Sequence, residues 1–155
     1  MSVTLHTNLG QLKIELFTEQ CPKACENFLA LCASHYYDGL CFERNIRGFI
    51  VQIGEREDDA RSESIWGQPF KDEIAAGLRH AKRGIVAMAN DQRPDTNRCA
   101  FYITYGKHEH LDGSFTVFGH VIHGLDTLEK MEKTPVDAED RPVRDITLKK
   151  VHIHA

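Results

Sequence analysis

The sequence predicts a domain dominated by β-structure, in which about eight short antiparallel strands close into a barrel and two α-helices cap it. Apolar and polar residues alternate over short segments, as they do in strands with one buried face. Helical spacing of apolar residues occurs in two separate places. Strands and helices lack the regular alternation that produces a parallel sheet. We expect this closed barrel to form a single domain over residues 1–155 without exposed strand edges.

Composition narrows the classes of function. Of the 155 residues, 41% are hydrophobic and 27% are charged, and the formal net charge is -4. This balance gives no overall field that attracts nucleic acid or an anionic membrane. The first residues, MSVTLHTNLG, lack a secretion signal, and five cysteines are an odd number for a disulfide framework. We therefore expect a monomer with free thiols in the cytoplasm or nucleus that binds neither nucleic acid nor membrane.

The N-terminal third predicts a hairpin followed by a helix. Apolar residues alternate over residues 3–16, and Asn8-Leu9-Gly10 interrupts them as a turn would. The period then becomes helical over residues 22–34. Pro22 suits the first turn of this helix, because a proline there gives up no hydrogen bond.

The stretch FERNIRGFIVQIG at 42–54 predicts the floor of a binding site. Its glycine and its alternation fit two short strands joined through Arg47-Gly48. We expect the cation Arg44 to be partly buried beside the apolar residues of this stretch. Strand geometry then predicts Phe49 and Val51 on one face and Ile50 and Gln52 on the other.

Two charged segments predict exposed loops. EREDDARSE at 55–63 has almost no apolar area to bury and should be weakly ordered. Asp58 and Asp59 within it lack partners at ligand spacing, so no metal site is predicted. RHAKR at 79–83 is the second predicted solvated loop.

The C-terminal half predicts further strands and a second helix. GIVAMAN at 84–90 fits a buried strand that delivers Ala89 and Asn90 to its exposed end. Strands are also predicted at 101–105 and 115–122, and a short helix over 125–131. The parity of the apolar positions shifts across Lys149-Lys150, which predicts a β-bulge or strand switch.

Five motifs in this order resemble the cyclophilin peptidyl-prolyl isomerases: FERNIRGFIVQIG, SIWGQPFKDE, GIVAMAN, TNRCAFYITYG and HLDGSFTVFGHV. The resemblance runs from about Val3 to Ala155. SVTLHTNLGQLKIELF and CPKACENFLALCASHYYDGL are most similar to the single-domain cyclophilin-like-3 branch, which is associated with spliceosomes. The resemblance implies catalysis of X-Pro bond rotation in peptides and partner proteins, possible spliceosomal partners among them, and it implies no cofactor.

The resemblance also implies roles for individual residues. Arg44 corresponds to the donor that hydrogen-bonds the twisting amide, and Gln52 to the residue that orients this arginine. The alternative from the residues alone is that Arg44 pairs with an acid such as Glu43. The implied substrate-binding residues are Phe49, Ile50, Ala89, Asn90, Ala100, Tyr102, His110, Leu111 and Phe115.

Several of these positions depart from the family's usual pattern. Ala100 stands where a glutamine contacts substrate backbone, and Tyr102 where a phenylalanine lines the pocket. His110 replaces a tryptophan important for cyclosporin, so weak cyclosporin binding is expected, and Phe115 replaces a histidine. These substitutions motivate an alternative function, a catalytically weak or inactive module that binds proline-containing segments within a larger complex such as the spliceosome.

Overall fold

The predicted closed, eight-stranded antiparallel barrel with two helices is confirmed by the computed structural model, which describes residues 1–155. The strands are β1 (Ser2–Thr7), β2 (Gly10–Leu16), β3 (Leu40–Ile46), β4 (Ile50–Ile53), β5 (Ile85–Met88), β6 (Phe101–Thr104), β7 (Val117–His123) and β8 (Thr147–His154). The helices are α1 (Pro22–Ala33) and α2 (Leu125–Glu132), with short 3₁₀ helices at Ala60–Glu63 and Glu109–Leu111. Around the barrel the order is β1-β2-β7-β5-β6-β4-β3-β8, and β8 pairs again with β1.

Helix α1 covers the barrel core with an aromatic side chain. Phe28 is fully buried, and its ring meets Phe101 of β6 and Phe118 of β7, each at 5.3 Å between ring centroids. Pro22 is the first helical residue, as its missing N–H allows. Aromatic contacts of this kind join the helix to two strands that are distant in sequence.

Helix α2 starts immediately after Gly124, which has the left-handed φ of 105°. A Cβ at this position would overlap the backbone oxygen of Gln11 and approach the Cα of Leu12 to 3.1 Å. Leu128 and Met131 are fully buried, so the helix is held close against the N-terminal hairpin. Neither α1 nor α2 has the length and apolar character that crossing a membrane requires.

The predicted bulge near Lys149 is confirmed. His6 pairs with Lys150 while the next residue, Thr7, pairs with Leu148, so Lys149 has no partner in β1. The extra residue returns Leu148 to the barrel interior, where it is fully buried. β8 can therefore pair with β1 along one part and with β3 through Leu148 and Leu40 along another.

Segment 55–63 lies at the surface, as expected, but it is held by more polar contacts than its composition predicts. Arg56 donates from Nε to the Tyr36 carbonyl at 2.6 Å, and its guanidinium also reaches the Asp38 carbonyl. The side chain of Asp59 caps the 3₁₀ helix by accepting from the Arg61 N–H at 2.9 Å. Hydrogen bonds from Arg61 lower the pKa of Asp59 to about 2. Polar contacts, rather than apolar burial, order this segment.

All five cysteines are free, and four of them are buried. Burial raises the pKa values of the Cys21 and Cys25 thiols to about 12 each. Cys21 donates to the Val117 carbonyl at 3.2 Å in a buried environment. These thiols therefore behave as small apolar side chains at neutral pH.

Candidate active site

A row of opposed residues crosses five strands on the outer surface of the barrel. Arg44 of β3 lies opposite Gln52 of β4, and Gln52 lies opposite Tyr102 of β6. Tyr102 in turn faces Ala87 of β5, which faces Val117 of β7. Directly opposed residues project to the same face of a sheet. The strand register thus places the arginine, the glutamine and the tyrosine side by side.

The outer surface next to this row carries its own apolar cluster. Ile50, Ile85, Ala87, Tyr102 and Val117 form a buried group separate from the main core, and Phe49, Ala89, Leu111 and Phe115 pack against it. Val51 and Ile53 belong to the main core instead. The expectation that Phe49 shares a face with Val51 is wrong, because Phe49 lies in the turn before β4 and escapes the strand alternation.

A cleft of about 580 Å³ opens over this cluster. Nine of the predicted site residues line it: Arg44, Phe49, Ile50, Gln52, Ala89, Asn90, Tyr102, Leu111 and Phe115. Phe115 meets the Tyr102 ring edge-on at 5.7 Å, so the two rings form a corner of the apolar cup. The structure therefore brings these nine residues together around one cleft.

Two predicted binding residues do not line the cleft. Ala100 is buried, and its carbonyl accepts the Ala89 N–H at 2.9 Å, so it supports the cleft from behind. His110 is exposed and stacks on Phe49 with ring centroids 5.9 Å apart. Phe49 also meets His108 edge-on at 5.0 Å. His110 therefore reaches the cleft only through the phenylalanine ring.

Arg44 is exposed at the edge of the cup, so the expectation of partial burial is wrong. The reason is its register, which turns it outward, opposite Gln52. It makes no hydrogen bond or ion pair with protein, and Glu43 approaches Arg141 instead, at 3.8 Å. The alternative of an Arg44–Glu43 pair is therefore wrong. Gln52 does not hydrogen-bond Arg44 either, and the guanidinium keeps all its donors free.

Six further residues line the cleft that the sequence did not indicate: Asp72, Gln92, Arg93, Pro94, Gly113 and Ser114. Three of them belong to the loop between β5 and β6, and Asn90 joins this loop to the next wall by donating to the Ser114 carbonyl at 3.1 Å. The turn-forming run DQRPD between two buried strands is a signal that could have found them. Asp72, by contrast, arrives from a segment distant in sequence.

A buried polar chain lies beside the cup. The Tyr102 hydroxyl is 2.7 Å from His80 Nε2, and His80 Nδ1 is 2.9 Å from Asp112 Oδ1. The backbone N–H of His80 donates to the same carboxylate oxygen at 2.7 Å. His80 is 0% exposed, so the expectation that segment 79–83 is a solvated loop is wrong at this residue.

Protonation in this chain follows from burial. Burial lowers the pKa of His80, although Asp112 opposes the change. The backbone N–H of His80 holds the pKa of Asp112 below its usual range, and burial raises the pKa of Tyr102. At neutral pH the chain therefore consists of an ionised carboxylate, a neutral imidazole and a neutral phenol.

The cleft offers an apolar cup, a free guanidinium and side-chain amides at its rim. No group of three or more His, Cys, Asp or Glu side chains is placed to hold a metal ion. An apolar cup bordered by donors and acceptors matches a short length of polypeptide, whose apolar side chain enters the cup while its backbone bonds to the rim. The fold and the cleft define a β-barrel that binds peptide segments.

Comparison with known proteins narrows this class of peptide-binding barrel to one family. The family described as cyclophilin type peptidyl-prolyl cis-trans isomerase matches residues 2–153. Peptidyl-prolyl cis-trans isomerase-like 3 of Homo sapiens is 55% identical over 157 residues, covering 100% of this chain and 97% of the relative. Peptidyl-prolyl cis-trans isomerase CYP18-1 of Arabidopsis thaliana is 53% identical over 156 residues, with the same coverage.

A solved structure gives the same result. The cyclophilin type isomerase of Cryptosporidium parvum, determined in the presence of the dipeptide Ala-Pro, superposes with a TM-score of 0.94 and 43% identity. The match covers 100% of this chain and 99% of that one. The chain belongs to the cyclophilin family and is a peptidyl-prolyl cis-trans isomerase, a class of enzyme that binds proline-containing peptides.

Proposed function

We propose that X-Pro bonds isomerise in the cleft on the outer barrel wall, with the proline ring in the apolar cup and Arg44 bonded to the rotating amide. The single observation that carries this proposal is a guanidinium without a protein partner at the edge of an apolar cup. Phe49, Leu111 and Phe115 supply walls of a size that suits a pyrrolidine ring. Asn90 and Gln52 stand at the rim, where the flanking backbone passes.

The energetic requirement is modest and needs no covalent step. Rotation about an X-Pro bond crosses a barrier of ~20 kcal/mol, and the uncatalysed event takes ~10–100 s. Bringing it to milliseconds requires an acceleration of about 10⁴, which is roughly 5.5 kcal/mol of preference for the transition state. An apolar pocket and one well-placed donor are enough to supply a preference of this size.

Arg44 supplies a donor that acts on the twisted amide alone. In the planar amide the proline nitrogen shares its lone pair with the carbonyl, whereas in the perpendicular form the lone pair is localised and accepts a hydrogen bond. A donor to this nitrogen therefore stabilises the transition state more than the substrate. The planar fork of arginine aims its N–H groups better than the single rotating ammonium of lysine.

The test is an exchange measurement by NMR on a labelled Ala-Pro peptide. Arg44→Ala should lower the catalysed exchange by about 100-fold or more, as loss of a preorganised donor does elsewhere. Arg47→Ala is the matched control, because Arg47 is exposed in the same hairpin and lies outside the cleft. Retention of activity in Arg44→Ala would contradict the assignment of the site.

The alternative of an inactive binding module makes a different prediction for the same peptide. Membership in a family of isomerases supports the enzyme over the module. The departures at Ala100, Tyr102, His110 and Phe115 would each remove ~0.5–1.5 kcal/mol of binding where a polar contact is lost. Binding of the peptide by the unaltered chain without any acceleration of exchange would favour the module.

The proposed clients are proline-containing segments of proteins in the cytoplasm or nucleus, with spliceosomal proteins among them. Support comes from the 55% identity with peptidyl-prolyl cis-trans isomerase-like 3 over the whole chain and from the resemblance to the spliceosome-associated branch. Affinity purification of the full chain from separate nuclear and cytoplasmic fractions tests this proposal. Spliceosomal proteins should be enriched from the nuclear fraction, and their absence from both fractions would contradict it.

Weak cyclosporin binding is the corresponding proposal for the drug. His110 is exposed and stacks on Phe49, and an imidazole offers less apolar area and a different donor geometry than an indole. Calorimetry should therefore show weak binding. Nanomolar affinity would contradict this proposal.

A further inference from the structure

The buried chain of Asp112, His80 and Tyr102 has a definite direction at neutral pH. An ionised carboxylate only accepts, so Asp112 receives both the backbone N–H and the Nδ1–H of His80. The neutral imidazole then has no hydrogen on Nε2, and this atom accepts from the Tyr102 hydroxyl. The phenolic hydrogen therefore points away from the cleft and towards His80.

The chain also joins three segments that build the cup. Tyr102 lies in β6 and is 3% exposed, and Asp112 lies between two cup residues, Leu111 and Phe115. The His80 ring stacks on Tyr102 at 5.9 Å with an angle of 12° between planes, and it meets Phe115 edge-on at 6.3 Å. A change in the hydrogen bonds of His80 would therefore affect the positions of both Tyr102 and Phe115.

We propose that Tyr102, His80 and Asp112 are positioning residues that hold the cup in its proline-binding shape only while the imidazole of His80 is neutral. This proposal rests on the proposed function of the cleft. The hydroxyl of Tyr102 links the cup to the protonation state of His80, because a phenylalanine at this position could not hydrogen-bond the imidazole.

The consequence of protonation follows from donor counting. Protonated His80 carries hydrogens on both ring nitrogens, so Nε2 must donate to the phenolic oxygen. The hydroxyl hydrogen then loses its acceptor inside an apolar cluster that includes Ile85 and Val117. A buried donor without a partner is costly, and the cup must shift or admit water to satisfy it. Binding of an apolar ring weakens in either case.

The surroundings of His80 determine the pH at which its imidazole is protonated. Burial and the neighbouring His108 and His110 lower its pKa, whereas Asp112 raises it. Arg79 is the adjacent cation on the same segment, and it acts on Asp112. Since the neutral form is favoured, the active arrangement is complete at pH 7 and is lost as pH falls below the ordinary histidine value through the lowered pKa.

The test measures KM and kcat separately by NMR line-shape analysis of a blocked Ala-Pro peptide without titratable groups. In the unaltered chain, KM should rise about tenfold or more as pH falls from about 7.5 towards the pKa of His80 and below, whereas kcat changes little. Direct NMR titration of the His80 ring gives the pKa at which this rise must occur.

Two variants separate positioning from simple packing. Tyr102→Phe should abolish the rise of KM in acid, whatever its KM at neutral pH, because its ring carries no hydroxyl hydrogen that could lose its acceptor. Asp112→Asn keeps an acceptor but removes the charge, so the rise should move to lower pH. The proposal is overturned if KM of the unaltered chain stays constant through the titration of His80, or if Tyr102→Phe retains the rise. Loss of all exchange in the unaltered chain would instead overturn the proposed function.

Discussion

Gln52 faces Arg44 across the β3–β4 pairing without hydrogen-bonding it. The side chain of Arg44 is therefore tied to no fixed partner, and only its strand position sets where it lies. A side chain at position 52 influences how available the guanidinium is to a substrate. A change of the side chain at position 52 should therefore alter the rate of catalysed isomerisation.

Gln52→Glu should lower catalysed exchange about tenfold or more. A carboxylate opposite Arg44 would form a bidentate ion pair and occupy the donors that the rotating amide needs. Gln52→Ala serves as the control, because it removes the amide without supplying a competitor and should cost less. Exchange NMR on the Ala-Pro peptide measures both variants. Equal losses in the two variants would contradict competition for the guanidinium.

The sequence predicted which residues line the cleft better than it predicted the burial and the partners of those residues. Alternation along β4 placed Ile50 and Gln52 correctly on the outer face, because strand geometry is local. The burial of His80 could not be predicted in the same way, since its partners Tyr102 and Asp112 come from segments 22 and 32 positions away. Nor does the local sequence reveal that Arg44 lacks a partner.

At the scale of elements, the entry into α2 depends on a residue with no side chain. Gly124→Ala should destabilise the protein by ~2–4 kcal/mol, because it adds left-handed strain to a clash with the backbone of Gln11. Gly39→Ala is the matched control, since Gly39 has a φ of 84° and a Cβ there would meet no other atom within 4 Å. Strain alone should cost that variant ~1 kcal/mol.

Urea unfolding of both glycine variants gives the comparison. The difference between their unfolding free energies isolates the contact between α2 and the hairpin from the backbone strain. Similar losses in Gly124→Ala and Gly39→Ala would show that the hairpin moves aside at little cost.

Element boundaries and the bulge could be predicted because their signals are local. Pro22 marked the start of α1, and the parity shift at Lys149 marked the bulge that the pairing of β8 with β1 confirms. The order of segment 55–63 could not be predicted, because it depends on Arg56 reaching carbonyls of Tyr36 and Asp38. Polar order of this kind leaves no periodic pattern in a sequence.

For the whole molecule, buried acids make stability sensitive to high pH. Burial raises the pKa values of Cys21, Cys25 and Tyr36 to about 12 in the folded chain. Each group is neutral when folded and ionises at its ordinary value when unfolded, so its contribution to stability is full below about pH 9 and is lost progressively as pH rises from there towards about 12. The unfolding free energy should fall by at least ~2 kcal/mol between about pH 8 and about pH 10.5.

Urea midpoints measured across this pH range test the expectation. Cys25→Ala should make the decline shallower, because one buried acid is removed. A midpoint that stays constant up to about pH 10.5 would show that the thiols and the phenol ionise in the folded chain as easily as in the unfolded one.

The closed barrel was predictable from the alternation of apolar and polar residues over many short segments, and no single residue indicated it. Short alternating segments such as those around Leu5 and Ile14 can bury their apolar faces when a sheet curls on itself, and closure also removes the exposed strand edges. The sequence does not specify the order in which strands meet around the barrel. That order places β4 beside β6 and so brings Gln52 next to Tyr102.

The barrel separates the residues that hold the fold together from those that meet a client. The main core includes Val51 and Ile103, whereas the cup is built on Ile50 and Tyr102, their neighbours along the same strands. Evolution can therefore remodel the cup one side chain at a time while the inner face of each strand stays unchanged. A scaffold of this kind can change which segments it binds without disturbing the core that keeps it folded.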